Sequence, residues 1–160
     1  MTFNEANTVE AFIRDRLKSI GWEFIAHQAL PRQPQDVLVE NHLRDALVRL
    51  NPTIAERPER ADEVLYRLRA AIMTVRDTGL VKANEEFAAW LLGERSMPFG
   101  ENGEHVTIQL IDFEDLKQNH FVVTQQYTVR MGKTEKRADL VLLVNGMPLV
   151  VIEAKTPVRS

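Results

Sequence analysis

The stretch RADLVLLVNGMPLVVIEAK, residues 137–155, decides how the rest of the chain reads. Two apolar runs, Ala138 to Val144 and Leu149 to Ala154, flank the pair Asn145-Gly146. Asn-Gly between apolar runs signals a β-hairpin, because a type I′ turn needs positive φ at both central positions. The runs are nearly continuous in apolar residues. This predicts strands buried on both faces, with helices covering the sheet. Charge enters only at the ends: Asp139 opens the first strand, and Glu153 and Lys155 close the second. In a hairpin the start of one strand lies beside the end of the other. The three residues can therefore cluster at one sheet edge, away from the turn.

Phosphodiester hydrolysis is the chemistry that needs such a set. Two carboxylates can hold Mg²⁺, a hard cation that prefers oxygen ligands and retains several waters. Lys155, two residues beyond Glu153, points to the same face. It can orient or deprotonate the attacking water, or offset charge developing on phosphorus. Strand register decides whether the groups meet. A two-residue turn pairs Val144 with Met147 and leaves Asp139 opposite Ile152, facing away from Glu153. A three-residue loop pairing Val144 with Pro148, or a bulge, brings Asp139 across from Glu153. Pro148 cannot donate to a ladder, which favours irregularity. An odd-length loop or a bulge is therefore expected in this hairpin.

Working outward, helical signals fill the first part of the chain and strand signals the last. Asn7 can cap a first helix, with Glu10 three residues on completing a capping box. Its apolar positions are Val9, Phe12, Ile13, Leu17 and Ile20, and Gly21 stops it. Trp22 to Ala26 reads as a short strand and Pro31 to Gln35 as a loop. Asp36 caps a second helix with Val39, Leu43, Ala46, Leu47 and Leu50 on its apolar face, ended by Asn51-Pro52. A third helix carries Ala61, Val64, Leu65, Leu68, Ala71, Ile72 and Val75. A fourth, from about Leu80, carries Ala83, Phe87, Trp90 and Leu91, with Gly93 as its stop. Beyond Gly93 the period becomes two, over Val106 to Leu110 and Phe121 to Val129. The fold class expected is α/β, a mixed sheet flanked by helices, with a helical first half and a strand-rich second half.

The 160 residues fit one domain, 1–160, with 44% hydrophobic and 27% charged residues. There is no Cys, so neither disulfides nor thiolate metal sites arise. That composition suits the cytoplasm. Met1 to Arg16 is polar and of mixed charge, unlike a signal peptide. The longest apolar run, Leu140 to Val144, is too short to cross a membrane. The net charge of −3 is unlike that of a free-standing nucleic-acid binder, which is usually basic. An empty divalent-cation site is acidic, so mild acidity leaves a nuclease open. It suggests that other parts supply the grip on DNA.

Residues 137–155 resemble the PD-(D/E)xK nuclease motif as it occurs in the restriction (R) subunits of type I restriction-modification enzymes. Glu40 to Pro52 (ENHLRDALVRLNP), Val106 to Phe113 (VTIQLIDF) and Asn119 to Val129 (NHFVVTQQYTV) resemble the same family, and the likeness runs from about Val37 to Pro157. The resemblance implies a restriction-endonuclease-like fold, Mg²⁺-dependent cleavage of double-stranded DNA, and assembly with modification and specificity subunits. It implies that Asp139 and Glu153 are metal ligands and Lys155 is the catalytic lysine. Ala138 stands where the family often has Pro, and His120 where it often has an acidic residue. The family continues with a helix carrying a Gln-x-x-x-Tyr element and an ATP-using motor domain. The chain ends at Ser160, before both, so ATP is expected to act only in a full-length subunit, with DNA cleavage by these 160 residues alone left open.

Many nucleases of this fold carry a further Glu on an early helix, and Glu10 and Glu40 are the candidates. The capping box accounts for Glu10, and an i,i+4 pair with Arg44 accounts for Glu40. His27, His42, His105 and His120 show no metal-ligand spacing. Trp90 and Phe87 read as core. Arg57, Arg60, Arg67, Arg69 and Arg76 alternate with acids, which reads as a mixed solvated surface. The competing reading of the whole is a non-catalytic docking module for partner subunits or DNA, retaining the motif as a relic.

Overall fold

The computed structural model describes the backbone of residues 5–155 and the side chains of residues 8–155. Pro157, the end of the family-like stretch, lies outside them. The chain is mixed α/β, helical in its first half and strand-rich in its second, as the periodicities predict. It forms two compact units. One joins residues 1–39 to residues 120–160; the other is residues 40–119.

The first unit holds helix α1 (Glu5–Ser19), strand β1 (Glu23–Phe24) and three long strands. These are β4 (Phe121–Met131), β5 (Thr134–Val144) and β6 (Met147–Ile152); the short β2 (Ser96–Met97) and β3 (Val106–Thr107) belong to the other unit. The sheet order is β1-β4-β5-β6, with β1 parallel to β4 and the other pairs antiparallel. Ile13 and Leu17 of α1 pack on Val123, Leu140 and Leu142. The opposite face buries Leu30, Val39, Val122, Tyr127, Val141 and Leu143 together. From Leu140 to Leu143 β5 is thus apolar on both faces, which is why that run does not alternate. β6 differs from expectation. Its Leu149, Val150 and Val151 are exposed, because β6 is the edge strand of this sheet.

Several capping assignments are corrected. α1 already runs from Glu5, so Asn7 lies in its body, and Glu10 is not the third residue of a capping box. Phe12, expected on the apolar face, is 71% exposed. Asp36 caps no helix. Its Oδ2 accepts from the Gln33 amide at 2.9 Å, and its own amide donates to Gln33 O at 2.9 Å, closing the loop 33–36. Val39 precedes its helix and donates its amide to Gly146 O at 2.8 Å.

The second unit contains α2 (Glu40–Leu50), α3 (Pro52–Glu56), α4 (Arg60–Met73), α5 (Val75–Thr78) and α6 (Leu80–Leu91), with β2 (Ser96–Met97) and β3 (Val106–Thr107). Leu43, Leu47, Val64, Leu68 and Trp90 are buried at the helical spacings read from sequence, and Ile54 is buried in α3, a short helix that the stop expected at Asn51-Pro52 did not anticipate. The strand expected over Val106 to Leu110 is shorter than its alternation suggested. Only Val106 and Thr107 pair, antiparallel to Met97 and Ser96. Further on, the buried Asn51 takes the place of a neighbouring strand. Its Oδ1 accepts from Gln109 N, and its Nδ2 donates to Gln109 O, both at 2.8 Å. Among the described residues no helix is long and apolar enough to cross a membrane.

Candidate functional site

The β5–β6 hairpin turns through Asn145 (φ 50°) and Gly146 (φ 80°), the two positive φ values of a type I′ turn. Asn145 is fully buried. Its Oδ1 accepts from the His120 amide at 2.7 Å, and its own amide donates to His120 O at 2.9 Å. The turn has two residues, pairing Val144 with Met147. Left regular, this register would put Asp139 on the wrong side. It does not stay regular. Leu143 pairs with Pro148 but Leu142 pairs with Val150, so Leu149 is an extra residue and a bulge forms. Beyond it Leu140 pairs with Ile152, the last pair of the ladder, and β6 ends there; continued by one step, that register would face Asp139 with Glu153. The irregularity expected from Pro148 is present, as a bulge rather than an odd-length loop.

Asp139 is partly buried, and Glu153 and Lys155 are exposed. The Asp139 Oδ2 accepts from the Ala154 amide at 2.8 Å. A carboxylate accepting from a backbone N–H makes a strong, short bond, which fixes the side chain's orientation at the end of β6. On its other flank, β4 kinks where it passes Asp139. Gln125 pairs with Leu140 and Tyr127 with Ala138, while Gln126 between them has φ 56°. A left-handed conformation at a long side chain is strained. Sequence gave no warning of this kink, since no Gly or Pro marks it.

Glu10 is 5% exposed, and its carboxylate accepts from the Gln125 side chain at 3.0 Å. Arg14, one turn on, donates to the Oε1 of the same glutamine at 3.3 Å. α1 is therefore tied to β4 at Gln125, the residue paired with the neighbour of Asp139. Capping explained Glu10 from sequence; in the fold its carboxylate is buried and accepts from Gln125 on the sheet. Glu40 sits in the second unit and is held bidentately by Arg69, at 2.6 and 3.1 Å, rather than by Arg44. Arg44 pairs with Asp62 instead. Among the described residues no group of three or more His, Cys, Asp or Glu is arranged to hold a metal ion. His120 Nε2 lies 2.6 Å from the Glu23 carboxylate, and His105 Nδ1 lies 3.0 Å from Ser96 Oγ.

Arg32 braces the sheet on the face away from α1. Its guanidinium stacks 3.8 Å over Tyr127 and donates to Asp36 O and Thr128 O. Burial lowers its pKa from the usual arginine value. Tyr127 donates to Val37 O at 2.6 Å, and burial pushes its phenol up to about 12.

The chain's sequence matches, over residues 2–160, the family described as the type I restriction enzyme R protein N terminus. The chain belongs to that family. It is 33% identical over 166 residues to the type I restriction enzyme HindI endonuclease subunit of Haemophilus influenzae. It is 27% identical over 165 residues to a putative type I restriction enzyme MjaIXP endonuclease subunit of Methanocaldococcus jannaschii. Each alignment covers 96% of this chain and 15% of the relative, so the chain spans about a seventh of their length. No solved structure matches it significantly.

Proposed function

We propose that this chain is the Mg²⁺-dependent nuclease region of a type I restriction subunit, cutting double-stranded DNA. One observation carries the reading. The bulge at Leu149 corrects a register that would otherwise separate Asp139 from Glu153, in a chain of the R-protein family. A bulge costs local ladder bonds, and such features recur beside active sites.

The donor set suits the cation. Asp139 and Glu153 offer oxygen only, and Mg²⁺ binds through one or two carboxylates, with waters and substrate phosphate completing its shell. When bound, it would supply Lewis-acid polarisation of the scissile phosphate. The bond from the Ala154 amide to Asp139 Oδ2 orients that carboxylate before any ligand arrives. Glu153 contributes from the opposite strand. Lys155 lies two residues on, and its ammonium neutralises charge on the phosphate oxygens as water attacks, or holds that water in line. Around this centre the chain would work in the cytoplasm beside modification and specificity subunits, with ATP consumed elsewhere in a longer subunit.

A Mn²⁺ titration of wild type, Asp139→Ala and Glu153→Ala tests the proposal. Each substitution should weaken binding at least about tenfold, since each removes a ligand of a two-carboxylate site. Equal affinity in all three proteins would refute the metal site and favour a docking module.

A further inference from the structure

β4 and β5 run on past the sheet. β1 reaches only Val122 and Val123 of β4, and β6 reaches β5 only as far as Leu140. From Thr128 to Met131 and from Thr134 to Arg137 the two strands pair only with each other. They form a two-stranded ribbon about 14 Å long, at roughly 3.4 Å per residue. Every residue from Arg130 to Arg137 is exposed. The eight carry four cations, Arg130, Lys133, Lys136 and Arg137, and one acid, Glu135. Arg130 and Glu135 are cross-strand partners and neutralise each other at 2.7 Å. Lys133, Lys136 and Arg137 have no acidic partner among the described residues. At its root the ribbon is held from the side. Arg130 N donates to Pro34 O at 2.7 Å, and Arg32 donates to Thr128 O at 2.7 Å.

We infer that this ribbon is the grip of the domain on duplex DNA, with Lys133, Lys136 and Arg137 against the phosphate backbone. The inference rests on the proposed action on DNA and adds the surface that would hold it. The net charge of −3 conceals this surface. The unit with the ribbon has ten basic and eight acidic residues, whereas residues 40–119 have ten basic and fifteen acidic. Position agrees with charge. Arg137 lies two residues before Asp139, about 7 Å along the strand, and Lys133 lies about 20 Å away. Phosphates succeed one another at about 3.4 Å of axis per strand, so three cations over that span can engage several. A two-stranded antiparallel ribbon is also of a width that the major groove admits.

Fluorescence anisotropy with a labelled 30-base-pair duplex, in EDTA and over a salt series, tests it on the 160-residue chain. Metal binding and cleavage then play no part. The triple variant Lys133→Ala, Lys136→Ala, Arg137→Ala should lower the slope of log affinity against log salt by about 2 to 3, at about 0.9 per lost phosphate contact. Affinity near 0.1 M salt should fall on the order of 100-fold by the same relation. A control with equal charge loss, Arg57→Ala, Arg67→Ala, Arg76→Ala, should stay within about twofold, with far-UV circular dichroism confirming that both variants fold. An unchanged slope in the ribbon variant, or no salt-dependent DNA affinity in wild type, overturns the inference. Failure of the nuclease proposal looks different. There Asp139→Ala leaves Mn²⁺ affinity unchanged while the ribbon's salt slope persists.

Discussion

The unit of residues 40–119 and the unit formed by the segments before and after it each use a buried asparagine for similar ends, yet they carry opposite net charge. In the helical unit Asn51 bonds both backbone groups of Gln109. In the sheet unit Asn145 bonds the backbone of His120 and forms the turn of the candidate hairpin. Around these anchors, acids outnumber bases by fifteen to ten in the first and bases outnumber acids by ten to eight in the second. A whole-chain net charge averages the two and misdescribes both. The basic side chains that matter are those gathered on a two-stranded ribbon; the arginines of the helical unit are set among acids.

This contrast can be attacked at four points. The largest effect is expected at Lys155, on the sheet unit. In a longer subunit that cuts plasmid DNA, Lys155→Ala should slow nicking about 100- to 1000-fold, as removal of one preorganised charge-stabilising group does. Cleavage at the wild-type rate would strip the sheet unit of its assigned chemistry. In the helical unit, Asn51→Ala leaves Gln109 N–H and C=O without their partner. Unsatisfied buried groups cost about 1–3 kcal/mol each, so urea denaturation should show a loss of about 3 kcal/mol. Hydrogen exchange at the Gln109 amide should accelerate; a protected amide would mean the asparagine is dispensable.

The third point is pH. Tyr127 has its phenol raised to about 12 in the fold, against about 10 unfolded. The neutral form is favoured by folding, so this stability is complete below pH 10 and drains as pH rises towards 12. The loss should be on the order of 2 kcal/mol. Tyr127→Phe should flatten the curve over that window, and an identical curve in the variant would contradict the assignment. The smallest effect belongs to the exposed face of β6. Leu149→Thr should shift stability by less than about 0.5 kcal/mol, since surface changes outside special features rarely do more. A loss of several kcal/mol would mean that the bulge residue packs somewhere.

Much of this was readable from the amino acids, and the failures have physical causes. The helical spacings of Val64, Leu65 and Leu68, and the unbroken apolar run of β5, report burial directly. Asp36 was misread as a helix start because a capping side chain is equally suited to turns, and Asn7 because the helix already includes Glu5. The two-residue strand Val106–Thr107 looked longer because Ile108 and Leu110 alternate, while a side-chain amide supplies the pairing of Gln109. In the hairpin, Pro148 gave notice that the ladder could not be regular. What sequence could not give was the side of β6 on which the slack falls, nor the kink at Gln126 opposite Asp139, since neither has a residue-type signature.

The unpaired Leu149 has a consequence for how such hairpins tolerate length changes. Removing any one residue between Pro148 and Val151 can be absorbed by ironing out the bulge, with Asp139 still across from Glu153. Adding one has no comparable outlet and slips the two acids to opposite sides. The gap between them can therefore lose one residue, and a homologue one residue shorter can carry the same pair on a plain ladder.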